Sequence, residues 1–171
     1  MIDYEKLIGV PLSDKDIINL VDGKANVITY KELQKYKTLD DALGEDNAFV
    51  LLYETEPNFG HWTCVFKENG RVNVFDSYGI YPDDEIKFVP KNFKKLNYRK
   101  FKYLTKLLYD SKYPVEYNEV PLQSDKVGVS TCGRWVATRL IMRDICQDDF
   151  AKLFSQFDDP DLAVTYITGF I

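Results

Sequence analysis

Apolar and polar positions along this chain change their period twice, and each change marks a different kind of element. Up to residue 45, short apolar groups follow residues with helix-start chemistry. These are Ser13 with Asp16 ahead of Ile17, Ile18 and Leu20, then Thr29 with Glu32, then Thr38 with Asp41. In each pair a hydroxyl and an acidic side chain three positions on satisfy backbone N–H groups that the first helical turn leaves unpaired. The opening segment therefore reads as mostly small helices packed on a sheet.

Ala48-Phe49-Val50-Leu51-Leu52-Tyr53 breaks that pattern with a near-continuous apolar run, as expected of a strand covered on both faces. His61 to Phe66 reads as a second strand, Asn69-Gly70 as a hairpin turn and Val72 to Phe75 as a third strand. The period then returns to that of helices. Asn97 to Ser111 has helical spacing through Phe101, Leu104, Leu107 and Leu108, and Val115 to Val120 alternates like a further strand. Gly128 to Thr131 reads as a loop, after which Cys132 opens an amphipathic helix through Val136, Leu140 and Ile141. Asp148 and Asp158 are the expected N-caps of two final helices, the second with Pro160 in its first turn. Helices, an antiparallel block and helices again make an α+β domain.

Composition narrows the function classes. The chain has 171 residues, 45% hydrophobic and 29% charged, the length of one domain, expected to span 1–171. A core of that size removes roughly 70% of the unfolded surface from water, so no metal or disulfide is required for folding. A net charge of -5 argues against nucleic acid as the primary partner. No apolar run approaches the roughly 20 residues that span a bilayer, and Met1-Ile2-Asp3-Tyr4-Glu5-Lys6 lacks the layout of a signal peptide. Three cysteines at irregular spacings do not form a secreted disulfide framework. A reducing, intracellular compartment is expected, where a reactive thiol survives.

His61 is the one histidine of the chain, so it is by far the best candidate for any mechanism that needs a base near neutral pH. A lone histidine on a strand is more often structural, and the cysteines shift that balance. Cys64 lies three residues from His61 on a strand, so the two side chains face opposite ways. Cys146 is expected near the C-terminal end of the helix that Cys132 begins, where the dipole opposes negative charge. Cys64 and Cys146 thus read as core thiols. Cys132 stands at a helix start, before Gly133, among unpaired N–H groups that favour a thiolate and can hold an oxyanion. Asp76 ends the strand after the hairpin, where it can orient His61; by itself it would read as a turn residue of Asp76-Ser77-Tyr78-Gly79. Gln123, nine residues before Cys132, can donate to an oxyanion, and otherwise reads as a loop glutamine.

Gly60-His61-Trp62, Asp76-Ser77-Tyr78-Gly79, Gln123 and Ser130-Thr131-Cys132-Gly133 together resemble the adenain-like superfamily of cysteine peptidases. That group includes the adenovirus maturation protease, proteases of large DNA viruses and virophages, and the SUMO-deconjugating proteases. Each motif alone says little; the four in this order carry the resemblance, over residues 60 to 140 and hardly at all before residue 45. It implies a small mixed, largely antiparallel sheet flanked by helices, with the catalytic cysteine at a helix N-terminus. It also implies Cys132 as nucleophile, His61 as base, Asp76 as orienter and Gln123 as oxyanion donor, with Trp62 and Gly133 at the substrate. A tryptophan beside the base would narrow the cleft and select glycine or another small residue before the cleaved bond. The Gln123–Cys132 interval is a little longer than usual and the chain is short beside the deconjugating enzymes, which favours the compact viral branch.

The reading is therefore a thiol endopeptidase that matures capsid or other virion proteins, monomeric, needing no metal or cofactor, in the virion or the host-cell cytoplasm. Ubiquitin-like-protein deconjugation and acetyl transfer on the same fold remain open alternatives. A Cys3His zinc module made of His61, Cys64, Cys132 and Cys146 is opposed by the absence of paired ligand spacing. Lys91 to Lys106, seven basic residues without an acidic one, reads as a solvated face with a sharper alternative as a weak nucleic-acid contact.

Overall fold

The structure, a computed structural model, describes residues 1–98 and 102–169. Element order is α1 (Tyr4–Leu7), α2 (Asp14–Leu20), β1 (Asn26–Thr29), a 3-10 turn (Tyr30–Lys35), α3 (Leu39–Leu43), β2 (Ala48–Glu56), β3 (Phe59–Glu68) and β4 (Arg71–Phe75). A second 3-10 turn (Asp84–Phe88), α4 (Lys91–Asn97), α5 (Tyr103–Ser111), β5 (Val115–Tyr117), α6 (Cys132–Ile141), α7 (Gln147–Phe154) and α8 (Pro160–Thr168) follow. The strands form one sheet in the order β1-β2-β3-β4-β5. Its centre is the antiparallel meander β2-β3-β4, and β1 and β5 add to the two sides in parallel.

Alternation along β2 explains its unbroken apolar sequence. Ala48, Val50 and Leu52 face one core with Trp62, Cys64, Phe66 and Phe75, covered by α2, α6, α7 and α8. Phe49, Leu51 and Tyr53 face a second core with Val65, Val72 and Val74, covered by the Tyr30–Lys35 turn, α3 and α5. The sheet is thus buried on both faces between two helical layers.

The three capping boxes form as their residue pairs require, at Ser13, Thr29 and Thr38. Thr29 serves twice, since it also closes β1. That strand was not expected: four residues at a sheet edge are too few to show a period of two.

Three other expectations need correction. The helix read over Asn97–Ser111 begins only at Tyr103; Phe101 lies outside the described residues, as do Arg99 and Lys100 of the basic stretch. The caps of the last two helices are Cys146 and Asp159, two positions before the expected Asp148 and one after the expected Asp158; Asp148 lies inside the first turn of α7. Most consequentially, α6 stops at Ile141, so Cys146 heads α7 and is exposed, not a core thiol at a helix end. Arg139 produces this break: fully buried, it donates to the carbonyls of Met142 and Ile145 and to Gln147 Oε1. Of the described basic residues, Lys91, Lys95, Lys102 and Lys106 are exposed, and the last two pair with Asp84 and Asp110. No helix among the described residues is long and apolar enough to cross a membrane.

Candidate active site

The pairing of β3 with β4 sets Cys64 opposite Phe75, so the chain leaves the sheet at Asp76 beside the end of β3 that carries His61. There the His61 Nε2–H donates to Asp76 Oδ1 at 3.0 Å. The Tyr78 N–H donates to the same oxygen at 2.8 Å, and the Tyr78 ring stacks on the imidazole with centroids 4.9 Å apart. Asn118 Nδ2 donates to the Asp76 carbonyl at 2.6 Å, which anchors the turn to the segment after β5. Gly79 completes it at φ +71°, where a Cβ would lie 3.0 Å from the backbone of Glu119 and Val120. Burial alone would lower the His61 pKa; the Asp76 carboxylate, aided by Cys132, outweighs it and holds the imidazolium well above its ordinary range. With Nε2 committed to Asp76, Nδ1 is the nitrogen left for the thiol.

Cys132 is the first residue of α6. Thr131 in the N-cap position makes no capping bond; its hydroxyl donates instead to Asp161 Oδ1. The first-turn N–H groups of α6 are therefore left without a side-chain cap, free to face an oxyanion. Asp161, itself buried, also accepts from the Trp135 indole N–H and from the Ser124 N–H, both at 2.8 Å. One carboxylate thus ties the residue before Cys132 to the residue after Gln123. Gln123 is buried, its N–H donating to the Ser77 carbonyl at 3.0 Å and its Oε1 accepting from Ser77 Oγ at 2.7 Å. The amide NH2 is left as its open donor. Gln147, by contrast, is engaged at both ends, by Arg139 and Asn118.

His61, Cys132 and Gln123 line one cavity of about 750 Å³, whose apolar wall includes Phe59, Ile80, Phe88 and Val89. Trp62 is not among its lining residues. It is 6% exposed, packs in the core on the α6 side, and donates its indole N–H to the Leu12 carbonyl at 3.1 Å. Gly133 has a packing reason: a Cβ there would stand 3.0 Å from Leu12, 3.2 Å from Ile17 and 3.4 Å from Trp62. Its lack of a side chain lets the start of α6 seat against β3.

The cysteines do not converge. Cys64 is buried on the opposite face from His61, and burial pushes its thiol up to about 12. Cys146 is exposed. The only three-residue set among the described residues that could meet around a cation is His61, Asp76 and Glu85, with ligand atoms within 4.8 Å. The Nε2–Asp76 hydrogen bond already occupies that space, and we read no metal site in it. Glu85 and Asp161 carry no sequence signal, being two of 27 acidic residues in unremarkable contexts.

No family model matches the chain. It is 38% identical over 171 residues to the uncharacterized protein V9 of Sputnik virophage, a match covering 96% of both proteins. The chain belongs to the family of that virophage protein. Among solved structures, the ASFV pS273R protease superposes with a TM-score of 0.50 at 14% identity, covering 95% of this chain and 68% of that one. The SUMO protease Ulp1 gives a TM-score of 0.44 at 14% identity, over 97% of this chain and 80% of its own. The fold of this chain is thus α+β, a five-stranded sheet flanked by helices as in the pS273R protease, with Cys132 at a helix N-terminus.

Proposed function

We propose that the chain is a cysteine endopeptidase that matures virion proteins, with Cys132 as nucleophile, His61 as base and acid, and Asp76 as orienter. The observation that carries this reading is the 3.0 Å His61–Asp76 hydrogen bond beside a cysteine at an uncapped helix start, on one cavity. A fold shared with a protein described as a viral protease, and a virophage relative, support it.

The chemistry follows from the groups present. The Cys132 proton passes to His61 Nδ1 before substrate is attacked, which leaves the imidazolium in place, and Sγ then attacks the carbonyl carbon of the substrate. Charge develops on the carbonyl oxygen, where the Cys132 N–H and the Gln123 amide can receive it. The C–N bond then breaks as the imidazolium gives its proton to the leaving amine. Water, deprotonated by His61, cleaves the thioester and returns the thiol. Asp76 keeps Nε2 protonated throughout, which fixes the tautomer.

Selection for glycine or a small residue before the cleaved bond rests on resemblance, since the Trp62 ring lies in the core and the cavity wall is broad and apolar. Incubating the purified protein with capsid and other virion proteins, with Cys132→Ala as control, tests the reading. Discrete fragments made only by the wild type are expected; fragments also made by the alanine variant would sink it.

A further inference from the structure

Glu85 enters the site from a segment to which the endopeptidase reading gives no role. It sits in the 3-10 turn Asp84–Phe88, 5% exposed, in the wall of the cavity. Its Oε1 lies 3.6 Å from His61 Nε2 and has no hydrogen-bond partner. Native folds seldom retain an unsatisfied buried carboxyl oxygen without a reason.

The side chain is held there. Asp83, buried at φ +67°, accepts from the N–H groups of Leu104 and Thr105 and from the Tyr30 hydroxyl, and its own N–H donates to Tyr53 Oη. Those bonds pin the start of the turn to α5, to β2 and to the first 3-10 turn. Glu85 therefore faces the imidazole as part of a rigid wall.

We propose that Glu85 is a positioning residue of the His61–Asp76 pair, a second carboxyl whose proton decides whether the imidazolium faces one negative charge or two. The proposal rests on the endopeptidase reading for its use in turnover, and on the geometry alone for its effect on Cys132 and His61. The change is one proton: the Glu85 O–H bond breaks, the proton goes to solvent and the charge stays on the carboxylate.

Groups that bear on Glu85 come from every neighbouring element. Burial pushes it up to about 8 against the pull of His61, and the Asp76 carboxylate, facing it from the end of β4, adds to the rise. Lys87, in its own turn, opposes the rise. Tyr53 on β2 and Tyr78 after β4 both feel the Glu85 charge, and both phenols are raised, chiefly by burial. Below that range the imidazolium is paired with Asp76 alone. Above it, a second carboxylate beside Nε2 stabilises the imidazolium and carries its titration to higher pH.

The test is the pH profile of Glu85→Gln in a Cys146→Ala background, read both as kcat/KM on a cleaved peptide and as the iodoacetamide alkylation rate of Cys132. Near pH 6.5 the variant is expected within about threefold of the parent. Its alkaline midpoint should fall by about one pH unit in both readouts. Superimposable profiles overturn the proposal, as does an equal loss at every pH. Alkylation needs no substrate, so an absent peptidase activity with a shifted alkylation profile would remove the endopeptidase reading and leave Glu85 standing. Should the variant not fold, carboxyl-carbon NMR of the wild-type chain with labelled glutamate decides: one glutamate should titrate above about pH 7. If all titrate in the ordinary range, the idea fails.

Discussion

Two helices of this protein start at a cysteine, and they differ in almost everything else. Cys132 opens α6 with no acidic residue in the first turn, a diverted Thr131 hydroxyl, and His61 beside it on the same cavity. Cys146 precedes α7, whose first turn carries Asp148 and Asp149, and its thiol is exposed to solvent. In α7 the positive end of the dipole is already met by two carboxylates. Both thiols stand at a helix N-terminus; what sets Cys132 apart is the set of groups that converge on it from other elements.

The sharpest way to break this comparison is to remove each thiol in turn. Cys132→Ala should lower turnover by at least about 10⁴-fold, whereas Cys146→Ala should leave it within about twofold. Comparable losses in the two would end the distinction. The next largest effect is expected at Asp76, the proposed orienter. Asp76→Asn should cost about 10²- to 10⁴-fold in kcat with the fold intact by circular dichroism, because the amide no longer fixes the His61 tautomer. Wild-type kinetics there would mean that another group holds the ring.

Gln123→Ala should lower kcat by about 10- to 1000-fold with little change in KM, as for loss of an oxyanion donor. Gln147→Ala, which unties Arg139 and Asn118, should appear first in the melting temperature. The reverse pattern would exchange the roles of the two glutamines. Alkylation sharpens the picture further. At about pH 6, mass mapping should find Cys132 labelled some tenfold faster than Cys146, and Cys64 unlabelled in the folded chain. Because Cys146 is exposed, its slowness must come from its charge environment; faster labelling there would show that access outweighs the histidine partner.

The smallest effect is on stability. Glu85 in the fold sits at about 8 against 4.5 in the ordinary case, so the native state keeps a proton that the unfolded chain has released across that window. Stability must therefore fall as pH rises through it. His61 acts in the same direction, since its contribution is full below 6.5 and is lost as pH climbs through its raised native value. Each 1 kcal/mol lost would lower Tm by about 2–4 °C in a chain of this length. Glu85→Gln should flatten the slope between about pH 5 and pH 8, and an unchanged slope would place the coupling elsewhere.

Much of the fold was legible because its signals are local. Ser13, Thr29 and Thr38 act on N–H groups within their own first turn, and the period of β2 records its two buried faces. The start of α6 at Cys132 was readable for the same reason. The end of α6 was not, because the carbonyls of Met142 and Ile145 are satisfied there by Arg139, whose guanidinium is held over Phe66 of β3 and Phe150 of α7, a placement that only the tertiary fold provides. β1 escaped because a four-residue edge strand takes its identity from the parallel partner β2.

The division at the site is similar. His61 is unique in the chain and Cys132 heads a helix, so sequence alone named both as candidates, and motif order added Asp76 and Gln123. That Trp62 lies in the core and Gly133 packs against it required the seating of α6 on β3. Asp161, 29 residues beyond Cys132, and Glu85, 24 residues beyond His61, were decided by tertiary structure only. A carboxylate's role depends on what surrounds it after folding, because burial and neighbouring charge, not residue type, set whether it accepts, pairs or keeps its proton.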